Sequence, residues 1–332
     1  MNFNGELLKR LVNIFSPSGD ENLVAEFIKS EIKSYVDEIE VDRLGNLIAR
    51  KKGNGKKIMV AAHMDQIGLL ITDIDEKGFL RFTNIGGVSP FVSLGQRVVF
   101  RDGITGVIHM EHMEDISKLK LDNMYIDIGA NSREEAEKKV NIGDSCVYSS
   151  QYYEDENRVI SGCLDDRIGC YILIETMKGL KESKNDIYFV FTAQEEVGIR
   201  GAKTSAYSID PDFGIAIDIT GSGDTPKAKR FAIGLNKGAA IKVKDQSIIV
   251  SPSVKDFMTS TARENNIPYQ LEILEHGGTD SGAIHLSRAG VPTGVISVPT
   301  RYTHSPCESI SKSDVNNCIN LLSRLLIKEL KF

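Results

Sequence analysis

The sequence has no apolar run long enough to cross a membrane and no excess of basic residues. No stretch approaches the ~18 apolar residues of a membrane span, and the segment from Met1 to Gly5 lacks the basic and apolar parts of a signal peptide. Lys and Arg number 40 against 46 Asp and Glu, and the net charge of −6 provides no attraction to nucleic acid or to an anionic membrane. We therefore expect neither nucleic acid nor membrane as a partner.

Paired cysteines are also lacking. The chain has five cysteines, an odd number, and no Cys-x-x-Cys pair. This pattern argues against a disulfide framework and against a cysteine zinc site, and it predicts a reducing, cytoplasmic location. At 332 residues, the chain is long enough for one large domain with an insertion or for two domains.

Four short apolar runs stand out in the two ends of the chain. Runs of this kind are typical of strands that are buried on both faces of a parallel sheet. Helical patterns alternate with them, which predicts an α/β fold with a mixed, largely parallel sheet flanked by helices. The runs are Ile58–Ala62, Ile187–Ala193, Phe213–Ile217 and Gly294–Val298.

The middle of the chain has a different texture. From about Leu69 to Ile160, short alternating segments are separated by glycine and aspartate. We predict a small β-rich domain over residues 69–160, inserted into an α/β domain formed by residues 1–68 and 161–332.

The first amphipathic helix has a recognisable start signal. Ser18 stands three residues before Glu21, ahead of an apolar face that begins at Leu23. This spacing predicts a capping box, in which Ser18 would cap the helix.

Five potential metal ligands lie at the ends of apolar runs. In an open α/β sheet the binding crevice lies outside the carboxyl ends of the strands, so residues that are far apart in sequence can meet there. We predict one site formed by His63, Asp165, Glu196, Asp218 and His304.

His63 and Asp65 follow the run Ile58–Ala62 and stand two positions apart. Such residues point the same way in an extended chain. His63 could bind a metal while Asp65 accepts the other ring N–H. The alternative is a hydrogen-bonded structural pair without a metal.

Asp165 stands at the start of a predicted helix, beside Asp166 and Arg167. Acidic residues often cap helices, and this is one interpretation. Because a carboxylate has two oxygens, Asp165 could also bridge two cations while Asp166 or Arg167 organises the loop.

Glu195 and Glu196 are adjacent acids that directly follow a buried strand. Their carboxylates repel each other unless they are solvated, so a cation would relieve the repulsion. One of them could then keep a raised pKa that suits proton transfer. The alternative is a solvated pair in a loop.

Two further charged residues follow apolar strands. Asp218 comes after Phe213–Ile217, and a charge in this position needs partners, which a metal, a helix start or an arginine could provide. His304 lies in the loop Arg301–Pro306, which could present its imidazole to the same site.

The turn Gly277-Gly278-Thr279-Asp280 precedes an apolar helix. It matches neither a P-loop nor a dinucleotide fingerprint, and a structural turn with a capping residue explains it by itself. As a functional alternative, its backbone or Asp280 would approach a substrate, so we predict Gly277, Gly278, Thr279 and Asp280 as substrate-binding residues.

The motifs resemble a known family when they are taken in order. His-x-Asp, Leu-Asp-Asp-Arg, Gln-Glu-Glu-Val-Gly, Asp-Ile-Thr and Arg-Tyr-x-His-Ser-Pro are similar to those of the tetrahedral, dinuclear-metal aminopeptidases of the glutamyl and leucyl type. The resemblance covers essentially the whole chain, including the steps of 31 residues from Asp165 to Glu196 and of 22 residues to Asp218.

The resemblance implies a site with two divalent cations, zinc or cobalt. His63, Asp218 and a bridging Asp165 would hold one cation, and Asp165, Glu196 and His304 the other. Glu195 would be the general base of an aminopeptidase that acts on short peptides with a free N-terminus. We therefore predict Glu195 and Asp65 as catalytic residues.

The same resemblance implies a quaternary structure, and this chain departs from the family pattern at two places. The insertion would be a barrel-like dimerisation domain in a homo-oligomer, a dodecamer built from dimers. Where the family carries a Trp-Asp pair after two glycines, this chain has Gly86-Gly87-Val88-Ser89-Pro90 and no tryptophan. A Lys-Pro-rich stretch is replaced by the sequence from His109 to Asp115.

Three other functions compete with this interpretation. A related dinuclear-metal hydrolase could act on another amide substrate, as a carboxypeptidase, dipeptidase or deacylase. A scaffold that binds peptides without hydrolysing them would also fit the fold, but none of the six site residues from His63 to His304 is missing. Glycoside hydrolysis would need two acids and neither metal nor histidine.

Overall fold

The computed structural model describes residues 3–228 and 232–330. No helix in these residues is long and apolar enough to span a membrane. The helices and strands are, in chain order, α1 (Gly5–Asn13), α2 (Asn22–Ile32), β1 (Glu38–Val41), β2 (Leu47–Lys51), β3 (Lys57–His63), β4 (Gly68–Ile74), β5 (Leu80–Ile85), α3 (Pro90–Ser93), β6 (Arg97–Phe100), β7 (Thr105–Met110), β8 (Met124–Asp127), α4 (Arg133–Glu137), β9 (Ser145–Tyr148), β10 (Tyr153–Glu154), β11 (Arg158–Ser161), α5 (Leu164–Gly179), β12 (Asp186–Thr192), α6 (Arg200–Ile209), β13 (Phe213–Gly221), β14 (Ala239–Lys244), α7 (Pro252–Glu264), β15 (Tyr269–Ile273), α8 (Ser281–Ile284), β16 (Thr293–Arg301), β17 (Glu308–Ser311) and α9 (Lys312–Ile327).

The larger sheet contains the four predicted apolar runs as its central strands. Its main path is β1-β2-β12-β3-β13-β16-β17-β11-β10, and β14 and β15 branch from β16. The central strands β12, β3, β13 and β16 are parallel to one another, whereas the outer strands of the main path pair antiparallel. The prediction of a mixed α/β sheet is confirmed.

Both faces of this sheet are covered, which explains why the central strands are apolar throughout. In β3, Ile58, Val60 and Ala62 belong to the large core that includes residues of α1, α2, α5, α7 and α9. The intervening Met59 and Ala61 pack on the opposite face, in a smaller core with residues of α6 and α8. Side chains of a strand alternate between the faces, so each face needs its own apolar set.

The inserted segment forms a closed barrel in the order β4-β5-β8-β7-β6-β9, which confirms the predicted barrel-like domain. The barrel has a hydrophobic core of its own. Its strands run from Gly68 to Tyr148, and the following strands β10 and β11 join the large sheet beside β17. Arg101 of the barrel donates to Asp20 of the larger domain, at 2.6 Å from Oδ2, and ties the two units together.

The predicted capping box before α2 is wrong. Helix α2 begins at Asn22 after Glu21, and no side chain caps it. Ser18 instead donates its hydroxyl to Asp65 at 2.6 Å, and Glu21 accepts the backbone N–H of Gly19 at 2.8 Å and of Gln194 at 3.0 Å. These two side chains therefore connect the helix start to the carboxyl end of the sheet.

A buried ionic cluster lies between β14 and β15. The Lys242 ammonium is 2.9 Å from Glu272 and 3.2 Å from Asp245, and all three side chains are almost fully buried. Asp245 also accepts the N–H groups of Ser247 and Ile248, at 2.7 and 2.9 Å. The lysine therefore compensates two buried negative charges, one of which orders the loop after β14.

Candidate metal centre

The predicted ligands converge at the carboxyl ends of the central strands. His63 is the last residue of β3, Asp218 lies in the last half of β13, and Glu196 follows β12. His304 is presented by the loop between β16 and β17, in the left-handed backbone region with φ of 58°. Asp165 completes the group at the first turn of α5.

Asp165 lies between the two histidines. Its Oδ1 is 3.1 Å from Nε2 of His63, and its Oδ2 is 3.1 Å from Nε2 of His304. The same His304 nitrogen is 3.8 Å from Oε1 of Glu196. One carboxylate thus turns one oxygen toward each imidazole, as a ligand shared by two cations must do.

Potential ligand atoms form two groups in which all atoms lie within 4.8 Å of one another. One group is His63, Asp165 and Glu196, and the other is His63, Asp166 and Asp218. Sequence reasoning gave Asp166 only an organising role. Its carboxylate does accept the backbone N–H groups of His63 at 3.2 Å and Gly169 at 3.0 Å, but it also lies within reach of the site.

The buried site contains more acidic groups than basic ones. Burial and the nearby charge of Asp165 raise the pKa of both Glu196 and Asp218 to about 8. Although burial opposes ionisation of His304, its hydrogen bond with Asp165 raises its pKa to about 10. Burial also disfavours the charge of Asp165, but hydrogen bonds from His304 and His63 lower its pKa. Without cations, these acids are ionised only where an imidazolium faces them.

This donor set fits divalent metal ions. Two imidazoles and several buried carboxylates are the nitrogen and oxygen ligands that zinc and cobalt accept. Cations would also replace the protons that the raised pKa values indicate on Glu196 and Asp218.

Asp65 holds both His63 and the turn that carries the two adjacent glutamates. Its main-chain oxygen is 3.1 Å from Nδ1 of His63, and its Oδ1 is 3.4 Å from the same nitrogen. The carboxylate accepts the N–H groups of Glu195 at 2.9 Å and Glu196 at 3.1 Å, besides the hydroxyl of Ser18. Asp65 was predicted to accept the ring N–H with its side chain, but the hydrogen-bond acceptor is its main-chain oxygen, and the carboxylate mainly holds the turn with Glu195 and Glu196.

The barrel contributes to the centre through the turn Gly86-Gly87 after β5. The main-chain oxygen of Gly87 is 2.8 Å from Nδ1 of His304. A Cβ on Gly87 would lie 2.4 Å from that nitrogen, and one on Gly86 would lie 2.8 Å from Oε2 of Glu196. Both positions therefore need glycine, because the backbone passes directly over the side chains of His304 and Glu196.

Glu308 is a functional candidate that sequence reasoning missed. Its buried carboxylate accepts the backbone N–H of Asp165 at 3.0 Å and of His304 at 2.8 Å. Burial and the charge of Asp165 raise its pKa to about 8. An acid four residues after His304 was the available signal.

The turn Gly277–Asp280 meets the centre through its last residue. Asp280 is buried, its Oδ2 accepts the hydroxyl of Thr192 at 2.5 Å, and its Oδ1 has no hydrogen-bond partner in the described part of the chain. Burial raises the pKa of Asp280 to about 6. The glycines pack elsewhere, since a Cβ on Gly278 would lie 3.0 Å from the Ser247 side chain.

Comparisons with known proteins agree with this geometry. The profile of the M42 glutamyl aminopeptidase family matches residues 45–321. A protein of Pyrococcus furiosus named lysyl aminopeptidase is 37% identical over 340 residues, which cover 98% of this chain and 97% of that protein.

Solved structures agree as well. An aminopeptidase from the archaeon Desulfurococcus kamchatkensis superposes with a TM-score of 0.94 at 40% identity, over 98% of this chain and 94% of that one. The TET1 peptidase of Pyrococcus horikoshii gives 0.88 at 35% identity, over 98% and 99%.

Proposed function

This chain belongs to the M42 glutamyl aminopeptidase family and is a metal-dependent aminopeptidase, and we propose that it uses two divalent cations, zinc or cobalt, to remove N-terminal residues from short peptides. The observation that carries the proposal is the position of Asp165, with one oxygen toward each imidazole.

We assign one cation to His63, Asp165 and Asp218 and the other to Asp165, Glu196 and His304. Asp166 lies near the first set, but its oxygens already accept the N–H groups of His63 and Gly169. Its carboxylate therefore orders the start of α5 and supports the ligand set from behind.

The cations, when bound, lower the pKa of a water molecule toward ~7 and polarise the scissile carbonyl group. Glu195 takes the proton from this water and returns it to the leaving amine. Burial and the charges of Asp218 and Asp280 raise the pKa of Glu195, which favours the return of the proton to the leaving amine. Asp65 holds Glu195 in place through the backbone N–H.

Two further contacts complete the proposed substrate site. The carboxylates of Asp165 and Glu196 concentrate negative charge next to the position of the scissile bond, which favours a free α-amine over a blocked one. The turn Gly277–Asp280 contributes through Asp280, which has one oxygen without a hydrogen-bond partner in the described part of the chain and whose charge raises the pKa of Glu195.

The test compares metal content and hydrolysis in the same preparations. Wild-type protein should hold two cations per chain and cleave aminoacyl anilides, but not their N-acetylated forms. Glu195→Gln should keep the metal and lose about 10²- to 10⁴-fold in kcat. Unchanged turnover by this variant would remove Glu195 as the base, and cleavage of blocked substrates would exclude the aminopeptidase mechanism.

We further propose that the chain forms a homo-oligomer, a dodecamer built from dimers that associate through the inserted domain, predicted over residues 69–160. The TET1 peptidase of Pyrococcus horikoshii can assemble into a tetrahedron or a large octahedral shell. Native mass spectrometry distinguishes a dodecamer from a dimer. The five unpaired cysteines fit a reducing, cytoplasmic location.

A further inference from the structure

We propose that a pocket between the barrel and the α/β domain binds the side chain of the substrate's N-terminal residue and selects an uncharged, apolar one. This interdomain pocket has a volume of about 170 Å³. Its apolar wall is formed by Ile14, Phe15, Ile67, Val99 and Val147. The proposal rests on the aminopeptidase function and adds the class of residue that is removed.

The position of the pocket places it beside the reacting atoms. Asp165, Glu196 and His304, the proposed ligands of one cation, line one end of it. A free α-amine near these carboxylates puts the side chain of the first residue into the adjacent space. The remainder of the peptide must leave the site, whereas this first side chain can end inside the protein.

The barrel supplies one wall of the pocket because of strand alternation. In β6, Val98 and Phe100 belong to the barrel core, so Val99 between them points outward. Val147 of β9 is its cross-strand partner and also lines the pocket. The outer face of the barrel therefore presents two branched apolar side chains toward the metal centre.

The size of the pocket and its two apolar walls suit one large apolar side chain, and polar side chains such as Asn13, Ser149 and Ser150 complete the lining. A cavity of about 150 Å³ lined by aliphatic and aromatic side chains is large enough to bind benzene. The interdomain pocket is similar in volume, and the opposite wall, with Ile14, Phe15 and Ile67, is apolar as well. A leucyl or phenylalanyl side chain would bury most of its surface here, which favours binding.

The pocket offers no free charge to pair with a charged side chain. None of its described lining residues is lysine or arginine, so a glutamyl side chain finds no cation apart from the metal site. Glu308 lines the pocket, but its oxygens accept the N–H groups of Asp165 and His304. The polar lining residues Asn13, Gln66, Ser149 and Ser150 are uncharged, so a lysyl ammonium would exchange its hydration for neutral partners alone.

The test varies the first residue of the substrate and the pocket wall together. For wild-type protein, kcat/KM for leucyl and phenylalanyl anilides should exceed that for lysyl and glutamyl anilides by roughly tenfold or more. Val99→Glu should raise the lysyl-to-glutamyl ratio of kcat/KM, and Val99→Lys should lower it, each by roughly tenfold. Val107→Glu and Val107→Lys are matched controls, because Val107 is an exposed residue of the neighbouring strand β7 outside the pocket.

Three outcomes would overturn the proposal. The first is a wild-type preference for a charged first residue. The second is an unchanged lysyl-to-glutamyl ratio in both Val99 variants. The third is that the Val99 substitutions change selectivity only for the second residue of leucyl dipeptides. This result would assign the pocket to the second residue instead.

The proposal and the underlying function fail in different ways. If no free aminoacyl anilide is cleaved by metal-loaded protein, the aminopeptidase function is wrong. If the anilides are cleaved but the selectivity does not follow the pocket wall, only the pocket assignment is wrong. Should the Val99 variants unfold the barrel, Phe15→Glu and Phe15→Lys on the opposite wall provide the same comparison.

Discussion

Replacing Gly87 with alanine should weaken the binding of the cation that we assign to Asp165, Glu196 and His304. The main-chain oxygen of Gly87 accepts the Nδ1 proton of His304 at 2.8 Å, which leaves Nε2 free to face Asp165 and the cation. An alanine Cβ would lie 2.4 Å from Nδ1 and 2.6 Å from Cε1 of the same ring. Contacts this short do not occur, so either the ring or the turn must move.

The expected loss of metal affinity follows from the contacts of His304 that the movement would disturb. A shift of the ring disturbs the hydrogen bond to Gly87 and the 3.1 Å approach to Asp165 together. Loss of such a supporting partner of a metal-bound histidine typically lowers metal affinity by about 10- to 100-fold. This corresponds to about 1.4 to 2.8 kcal/mol of binding free energy. The other cation, held by His63, Asp165 and Asp218, should lose less.

The assay is competition between the apoprotein and a coloured chelator for zinc, which resolves a weak and a strong site. Gly221→Ala is the matched control, since Gly221 also has an ordinary φ and its Cβ would meet nothing within 4 Å. NMR of the His304 ring nitrogens reports directly whether Nδ1 keeps its proton. Wild-type zinc affinity at both sites in Gly87→Ala would refute the reasoning.

Three other predictions concern the network around the centre and the core. Asp65→Asn converts one acceptor oxygen into a donor that faces the backbone N–H of Glu195 or Glu196. The kcat should therefore fall by about 10- to 100-fold, while KM changes little. An unchanged kcat would show that Glu195 needs no such support. In the apoprotein, Asp218 has a pKa of about 8, above its unfolded value of ~4. The contribution of Asp218 to the free energy of unfolding should therefore be highest below pH ~4 and decrease as pH rises toward 8. Thermal unfolding with and without zinc tests this, and a flat apoprotein profile from pH 5 to 8 would contradict it. Lys242→Met leaves two buried carboxylates without their ammonium partner and should lower the free energy of unfolding, measured in urea, by about 3–5 kcal/mol. Lys244, on the same strand, is only partly buried, so Lys244→Met should have a far smaller effect. Equal effects would show that the buried cluster does not stabilise the fold more than a surface lysine does.

The strands and the convergence of the proposed ligands could be predicted because each is marked by a local pattern. An apolar run that ends in an acid or a histidine, as at His63, indicates both a buried strand and the position where that strand ends. The role of Ser18 was not predictable in this way. Its spacing to Glu21 fits a helix cap, but Asp65 accepts its hydroxyl in the folded chain, and this bond depends on residues 47 positions apart. The contact between the Gly87 main-chain oxygen and His304 is harder still to predict from sequence, because every residue type has the same main-chain oxygen.

The inserted barrel contributes to the chemistry in two physically different ways. At Gly87 it acts through the backbone, so the proposed metal site would require that the turn keep its path and would tolerate no side chain there. At Val99 and Val147 it acts through side chains on its outer face, where a substitution changes the pocket wall and leaves the barrel core in place. Since Arg101 and Asp20 fix the barrel to the larger domain, both contributions reach the same centre. Sequence change in the insertion can therefore alter the preferred substrate without altering the metal site, provided that Gly86 and Gly87 are retained.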